Sequence, residues 1–106
     1  MCGRFTLTRL EEKLAEVFNI PDIPDFKPQY NVAPTQSVMT VLHHPEHHRV
    51  FQLLQWGLIP SWSKDPSIAS KLINARSETV AEKPSFRSAF KKRRCLVVAD
   101  GFYEWQ

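Results

Sequence analysis

The segment VMTVLHHPEHHRVFQLLQ, residues 38–55, contains the pattern that decides the fold. Val38 to Leu42 and Arg49 to Gln55 are rich in apolar and β-branched residues, a composition typical of strands. The polar residues between them include Pro45, which is common in turns and disfavours a helix. The segment therefore predicts an antiparallel β-hairpin.

Two helices are predicted on either side of the hairpin. The first has apolar residues at helical spacing at positions 10, 14, 17 and 18, and Thr8 followed by Glu11 matches a capping box. The second follows Pro84, with Ser85 as its cap. Between the first helix and the hairpin, the prolines of residues 21–34 predict an ordered loop rather than a core element. Short strands combined with two helices predict the α+β class.

The second half of the chain is predicted to contain shorter elements. Residues 56–62 form a loop, and Lys71 to Ile73 form an extended piece that leads into Asn74. Cys95 to Ala99 predicts a buried strand, followed by a turn at residues 100 and 101 and a further apolar stretch at 102–105. Because no polar tail or helix follows, we expect an exposed apolar edge that favours self-association or is completed by another segment.

The composition is that of one globular domain. Hydrophobic residues make up 42% of the 106 residues and charged residues 24%, which is an ordinary balance. The net charge of +3 permits nucleic-acid binding without implying it. Four cations lie together at residues 91–94, where a solvated turn and a phosphate-facing patch are both open interpretations. No signal peptide or membrane-spanning apolar run is visible, so we expect a cytoplasmic protein with no membrane partner.

Cys2 is the strongest single indication of chemistry. The initiator methionine is usually removed before a small residue, which would leave an α-amine and a thiol on the same residue. The ordinary pKa values of these groups are about 7.7–8.0 and about 8.5, so both are partly deprotonated near neutrality. Such an aminothiol condenses with an aldehyde to a stable five-membered thiazolidine. The alternative is that Cys2 merely follows the start codon in a disordered tail.

Polar residues after two apolar stretches are further candidates. Asn74 and Arg76 follow an apolar run, and the forked guanidinium of Arg76 suits a phosphate, although an ordinary surface loop gives the same pattern. Glu104 lies between Tyr103 and Trp105, and a carboxyl group held among apolar rings has a raised pKa and can act as an acid or base. Side chains that alternate between the two faces of a strand, with Glu104 on the face in water, account for this pattern equally well.

The remaining candidates are aromatic residues, a proline and histidines. Pro34, Trp62 and Trp105 are candidate stacking or wedging groups for unpaired bases, with a place in the core as the alternative for the tryptophans. Histidines occur at positions 43, 44, 47 and 48. Pro45 disfavours a helix that would align them, and the two cysteines do not make a zinc site by themselves. A solvated turn is therefore favoured, and neither a metal site nor a cofactor is predicted.

Five segments, in this order along the chain, resemble the motifs of the SOS-response-associated peptidase (SRAP) family, the abasic-site processing proteins. They are MCGRF at residues 1–5, YNVAP at 30–34, WGLIP at 56–60, INARSET at 73–79 and DGFYEW at 100–105. The resemblance implies that residues 1–106 are the N-terminal part of a single SRAP-like domain. It also implies an α+β fold with a strongly bent, barrel-like antiparallel sheet and flanking helices, incomplete in this chain.

The resemblance implies covalent capture of abasic sites in single-stranded DNA, the expected partner, with a lyase-like activity. Cys2, freed of Met1, resembles the nucleophile that forms a thiazolidine with the ring-opened sugar aldehyde. Asn74 resembles the amide that positions the sugar and the Cys2 amine, and Glu104 resembles the acid/base group that helps to open the deoxyribose. The positions that resemble DNA contacts are Arg4, Arg76, Pro34, Trp62 and Trp105.

The sequence departs from the family pattern in two ways. Family members are longer and carry a catalytic histidine beyond the last residue of this sequence, and some have a further aromatic residue where this sequence has Ser63. Two other functions stay open. Cys2 could be the nucleophile of a cysteine hydrolase that cleaves its own leader, because the family name records a suspected peptidase. Alternatively, the chain is a non-catalytic remnant that binds single-stranded DNA.

Overall fold

The computed structural model describes residues 3–9, 11–46 and 48–103. The strands and helices are β1 (Arg4–Leu7), α1 (Glu11–Phe18), β2 (Gln29–Val32), β3 (Ser37–His43), β4 (Arg49–Gln55), a 3-10 helix (Pro66–Lys71), α2 (Arg87–Lys92), β5 (Leu96–Val97) and β6 (Gly101–Tyr103). The α+β class is confirmed. None of the helices in these ranges is long and apolar enough to cross a membrane.

The strands form two antiparallel sheets of three strands each. Their orders are β2-β1-β6 and β4-β3-β5, so β1 and β3 are the central strands. The predicted hairpin is confirmed, with β3 and β4 in continuous register from Ser37 opposite Gln55 to His43 opposite Arg49. A closed barrel is not formed by the described residues, so the bent, barrel-like sheet stays a prediction.

The larger core cluster packs around β3. Its buried members are Leu7, Leu14, Ile20, Met39, Val41, Phe51 and Val98. Residues 38–41 are all buried, because β3 has a strand on each side and is covered on both faces, as its continuous apolar sequence indicates. Thr40 is the one polar side chain in this run, and its hydroxyl donates a hydrogen bond of 2.6 Å to the carbonyl of Gln52.

The sheet that contains β1 was not predicted. The prolines of residues 21–34 predict a loop, but Gln29–Val32 forms β2 and pairs with β1, with Phe5 opposite Val32. Val32 is 1% exposed and belongs to a second core cluster with Phe5 and Val38. The loop prediction is therefore wrong for these four residues, since pairing with the N-terminal strand overrides their weak local pattern.

The carboxylate of Asp100 ties the end of β1 to the segment before β6. Its Oδ1 accepts a hydrogen bond of 2.7 Å from the hydroxyl of Thr6. Its Oδ2 accepts hydrogen bonds from the backbone N–H groups of Thr8 (2.6 Å) and Arg9 (3.0 Å) and from the hydroxyl of Thr8 (3.0 Å). One carboxylate thus holds together residues that are more than ninety positions apart along the chain.

These contacts also replace the predicted capping box. The first helix begins at Glu11, and the hydroxyl of Thr8 is directed to Asp100. The carboxylate of Glu11 accepts a hydrogen bond of 3.4 Å from the backbone N–H of Phe26, in the loop that follows the helix. The predicted helix is confirmed from Glu11 to Phe18, whereas the capping box is wrong because both side chains have long-range partners.

Several predicted boundaries in the second half need correction. Lys71 ends the 3-10 helix rather than starting an extended piece, and that helix is capped by Asp65, whose Oδ1 accepts a hydrogen bond of 3.0 Å from the N–H of Ser67. The residue before α2 is Phe86, without a side-chain cap, so Ser85 does not cap it. The predicted buried strand is shorter, and its two residues, Leu96–Val97, are exposed. Gly101 begins β6 instead of lying in a turn.

The hydrogen bonds to Asp100 determine the direction of its pKa shift. Burial is the largest single influence and raises the pKa, but the hydrogen bonds from Thr6, Thr8 and Arg9 together lower it below its ordinary value of 3.8. The folded state therefore binds the proton more weakly than the unfolded state. The stabilisation is complete above the ordinary pKa and is lost as the pH falls through the lower, folded-state pKa.

We expect Asp100→Asn to lower the free energy of unfolding by about 1–2 kcal/mol near neutral pH, a value reduced for the solvent exposure of the carboxylate. The amide keeps one acceptor oxygen but directs N–H groups toward donors. Urea unfolding at a series of pH values should also show a weaker loss of stability in acid for the variant. Asp25→Asn, in an exposed loop, is the matched control. Equal stability of Asp100→Asn and the wild type would contradict this role.

Candidate functional site

The structure describes five of the eight predicted site residues. Cys2, Glu104 and Trp105 lie outside the described residues. Those that are described are Arg4, Pro34, Trp62, Asn74 and Arg76. Direct contacts join the segments that carry three of them. These three are Arg4 in β1, Pro34 in the turn before β3 and Asn74 after the 3-10 helix.

Arg4 is the first residue of the central strand β1. Its side chain is exposed, and its Nη1 donates a hydrogen bond of 3.2 Å to the amide oxygen of Asn31 in β2. On the other side of the strand, Arg4 is paired with Tyr103 of β6, whose hydroxyl donates to the carbonyl of Tyr30 at 2.8 Å. The guanidinium is thus placed at an exposed sheet surface where it can meet a phosphate.

Trp56 connects β1 to the segment that carries Asn74. The indole ring packs against Phe5, with ring centroids 5.4 Å apart and the planes tilted by 45°. Its Nε1 donates a hydrogen bond of 3.0 Å to the carbonyl of Ile73, the residue before Asn74. Asn74 itself is half-buried and makes contacts of its own. Its backbone is therefore held at a fixed place relative to the N-terminal strand.

The backbone of Trp56 also holds the turn that contains Pro34. The N–H of Thr35 donates to the carbonyl of Trp56 at 2.9 Å, and the N–H of Trp56 donates to the carbonyl of Gln36 at 3.0 Å. The Gln36 side chain closes the turn by accepting a hydrogen bond of 3.0 Å from the N–H of Ala33. Pro34, which is half-buried, is therefore fixed to the same residue that orients Asn74.

Gly57 allows this loop to approach the 3-10 helix. Its φ of +127° is a conformation that side-chain-bearing residues rarely adopt. A Cβ atom at this position would lie 2.5 Å from the carbonyl oxygen of Ala69, which is buried. The N–H of Leu58 then donates to the carbonyl of Leu72 at 3.0 Å, so two hydrogen bonds join this loop to residues 72 and 73.

Arg76 and Trp62 are exposed and are not joined to the Trp56 contacts by any hydrogen bond described here. The carbonyl of Arg76 accepts hydrogen bonds from the N–H groups of Thr79 (3.2 Å) and Val80 (2.9 Å), which begin a turn and leave the guanidinium at the surface. Trp62 is 60% exposed, and its Nε1 donates to the carbonyl of Pro84 at 3.3 Å. The alternative that Trp62 is a core residue is wrong, and its exposed ring is available for stacking.

A cationic segment follows Pro84. Residues 87–94 contain five cations and no acidic residue, and the four predicted as a cluster, residues 91–94, are all exposed. Lys91 and Lys92 end α2, where cations are favoured by the helix dipole, so this part is not a turn. The guanidinium of Arg94 lies 4.4 Å from the centre of the Phe90 ring. The phosphate-facing interpretation stays open.

The second cysteine is not an activated nucleophile. Cys95 is free and exposed, although it begins the segment that is predicted to be a buried strand. Partial burial of its sulfur raises the pKa of the thiol above its ordinary value, so the thiol stays protonated near neutral pH. Nucleophilic chemistry at Cys2 would therefore not have a competitor in Cys95.

The role of Trp56 is not predicted by the sequence, which places this tryptophan in a loop and in one family motif. In the structure, Trp56 links three of the five family motifs through one ring contact and several hydrogen bonds. A tryptophan followed by a glycine next to an apolar strand was the available signal. Its meaning depends on long-range contacts with Phe5 and Ile73, which no local pattern contains.

Comparisons with known proteins agree with this arrangement of motifs. Residues 1–106 match the family model "SOS response associated peptidase (SRAP)". The abasic site processing protein YoqW of Bacillus subtilis is 48% identical over 109 residues, which cover 100% of this chain and 48% of YoqW. YobE of the same organism is 47% identical, covering 100% and 49%.

An animal relative extends the comparison. The abasic site processing protein HMCES of Xenopus tropicalis is 42% identical over 97 residues, covering 80% of this chain and 29% of HMCES. The chain spans about half the length of the bacterial relatives that it matches. From the match over all of its residues, and from these identities, the chain belongs to the SRAP family.

Proposed function

We propose that this chain captures abasic sites in single-stranded DNA through a covalent bond from Cys2. The proposal is supported by the names of its relatives, which are abasic site processing proteins. The single observation that carries it is the set of contacts made by Trp56. These contacts tie the segment before Asn74 and the Pro34 turn to the strand that begins two residues after Cys2.

The reaction proposed for Cys2 requires a free α-amine. An abasic deoxyribose opens to an aldehyde, the amine attacks the carbonyl carbon, and loss of water gives an imine. The thiol sulfur then adds to the imine carbon while its proton passes to nitrogen, which closes the thiazolidine. Removal of Met1 is therefore a condition of the mechanism, because an amide nitrogen in place of the amine cannot form the imine.

Asn74 and Glu104 are proposed to assist this reaction from two sides. Asn74, whose backbone is held by the Trp56 hydrogen bond to Ile73, is proposed to position the sugar and the amine. Glu104 directly follows Tyr103, which is paired with Arg4 at the start of β1. A carboxyl group at this point of the chain is suited to move protons during ring opening and loss of water, a contribution of typically about 10²–10⁴-fold.

The DNA strand is proposed to lie across exposed cations and aromatic rings. Arg4 and Arg76 present guanidinium groups at the surface, which suit the phosphates on either side of the lesion. The exposed ring of Trp62 suits an unstacked base, and Trp105 and Pro34 are proposed to act beside it. Unpaired bases are required for such stacking, so the proposed substrate is single-stranded.

Two other functions would use the same residues differently. A cysteine hydrolase would employ the Cys2 thiol but not its amine, and a non-catalytic remnant would bind DNA without a covalent bond. Capture of an aldehyde separates these functions, because only the proposed mechanism requires both the amine and the thiol of Cys2.

Blocking the Cys2 amine should abolish capture. We expect a variant with unprocessed residues before Cys2, and the variant Cys2→Ala, to form no heat-stable adduct with abasic single-stranded DNA, whereas Cys95→Ser should behave as the wild type. Denaturing gels and the intact mass of the protein give the readout. A stable adduct in the variant with the blocked amine would rule out the thiazolidine.

Trp56→Phe should slow capture while the fold is kept. The phenyl ring preserves packing against Phe5 but cannot donate the hydrogen bond to Ile73, so Asn74 loses its fixed position. We expect a decrease in the rate of adduct formation of roughly 10–100-fold, as small misplacements of a positioning group cause. Asn74→Ala gives the reference for complete loss of the amide, and thermal unfolding checks the fold. An unchanged rate in a folded Trp56→Phe protein would contradict the positioning role.

Non-covalent binding should depend on salt and on the form of the DNA. Using Cys2→Ala to prevent capture, we expect tighter binding to single-stranded than to duplex DNA and a decrease in affinity as salt rises. Arg4→Gln and Arg76→Gln should each reduce the slope of log affinity against log salt concentration by roughly one unit or less, because each removes about one phosphate contact. Neutralising residues 91–94 leaves the slope unchanged if they form only a solvated surface. Equal binding to both forms of DNA would count against the proposed surface for single-stranded DNA.

A further inference from the structure

The turn between β3 and β4 brings two imidazole rings and a carboxylate together. One possible ligand atom from each of His44, Glu46 and His48 lies within 4.8 Å of the other two. The N–H of His44 donates to the carbonyl of His48 at 2.8 Å and closes the turn. The two imidazole rings are stacked, with centroids 5.0 Å apart and an angle of 24° between their planes. The turn therefore presents three potential metal ligands, two imidazoles and one carboxylate, on one small surface.

From the sequence, Pro45 disfavours the helix that would align the histidines, and a solvated turn without a metal is the favoured interpretation. The hairpin turn provides a different alignment, in which residues two and four positions apart converge. Pro45 is compatible with such a turn. The predicted hairpin is confirmed, but the proline that excludes a helix does not exclude a metal site.

We propose that His44, Glu46 and His48 form a surface site for a divalent first-row transition-metal ion of the Zn²⁺ type. Two imidazole nitrogens and one carboxylate oxygen are ligands that suit Zn²⁺, Cu²⁺ and Ni²⁺. Mg²⁺ and Ca²⁺ prefer oxygen ligands and would not be held by this set. With three protein ligands, a tetrahedral ion keeps one position for water.

The distances between the three possible ligand atoms need to shorten only slightly to bind a metal ion. Zn–N and Zn–O distances of about 2.0–2.2 Å and a tetrahedral angle place ligand atoms about 3.3 Å apart. The present separations, which reach at most 4.8 Å, would therefore shorten by about 1.5 Å. Exposed side chains on a turn reach such positions by changing rotamer, without movement of the paired strands on either side.

One existing hydrogen bond competes with the metal. The N–H of Glu46 donates to Nδ1 of His44 at 3.3 Å, a long hydrogen bond at the surface. A metal at Nδ1 would replace this N–H, and a metal at Nε2 would need a proton on Nδ1, which also breaks the bond. Because water can satisfy the released N–H at this exposed turn, its loss opposes binding only weakly.

The site is independent of the proposed capture reaction. None of its three residues belongs to the motifs that carry Cys2, Asn74 or Glu104. The site lies at the end of the β4-β3-β5 sheet, whereas Arg4 belongs to the β2-β1-β6 sheet. A bound ion would join the two ends of the turn and stabilise the folded state by mass action. Metal binding can therefore be measured without an assay of DNA capture.

The test is a calorimetric titration of the metal-free, untagged protein with Zn²⁺, with Mg²⁺ as the comparison ion. We expect saturation at one Zn²⁺ per chain. His44→Ala, Glu46→Gln and His48→Ala should each weaken binding by about tenfold or more, since even residues that only support metal ligands have effects of this size. His43→Ala is the matched control, because His43 is exposed and adjacent but does not belong to the cluster.

Further variants exclude the thiols as the ligands. Cys2→Ala and Cys95→Ser should keep the affinity of the wild type. Thermal unfolding of the metal-free His44→Ala, Glu46→Gln and His48→Ala variants should match that of the wild type, because these side chains lie on a surface turn. The proposal is overturned if Zn²⁺ does not saturate at one site, if the His44→Ala/His48→Ala double variant retains the affinity, or if binding is lost with Cys2→Ala, Cys95→Ser or His43→Ala.

Discussion

The Trp56 indole lies against Phe5 and donates its N–H to the carbonyl of Ile73, and both contacts follow from the burial of one side chain. A partly buried indole N–H that lacks a partner costs about 1–3 kcal/mol, so the ring cannot pack on Phe5 without also engaging an acceptor. The acceptor that it finds immediately precedes Asn74. Packing in the smaller core cluster therefore determines where a candidate catalytic amide is held, and the turn with Pro34 is fixed by the backbone of the same tryptophan.

The packing of Trp56 also depends on β1, the strand that contains Phe5. Terminal segments are usually poorly ordered unless they are tied into a sheet. β1 is paired on both sides, and the Asp100 carboxylate binds the chain where it leaves the strand. Phe5 can act as a platform for Trp56 only because β1 is held in this way. Contacts between distant parts of the chain, and not the local preference of residues 4–7, fix the strand that begins two residues after the proposed nucleophile.

The parts of the fold that the sequence predicts are those with a local signal. Apolar periodicity identified α1, and the composition of residues 38–55 identified the hairpin. β1 and β2 have four residues each and gain their stability from pairing, so neither has a pattern of its own. The Trp56 contacts were missed for the same reason. The chemistry of Asn74, Arg76, Glu104 and Cys2 makes them candidates with open alternatives. The motif resemblance gives them roles in one site, because it carries the information on distant contacts that periodicity lacks. Helical periodicity does not align the histidines, whereas the turn brings His44 and His48 together.

The distribution of charge suggests how a polyanion would approach these residues. Five of the fourteen cations lie in residues 87–94, where there is no acidic residue, so the rest of the chain carries a net charge of −2. At distances within a Debye length a DNA strand would be attracted to residues 87–94, whereas the charges of the remainder give no net attraction, so Arg4 and Arg76 could meet phosphates only at close range. The indole N–H of Trp62 donates a hydrogen bond to the carbonyl of Pro84, three residues before α2. An exposed aromatic ring therefore borders the cationic segment. Phosphates that bind near α2 would thus bring the neighbouring bases to Trp62. Stacking on the Trp62 ring can hold these bases even where salt screens the attraction between the charges.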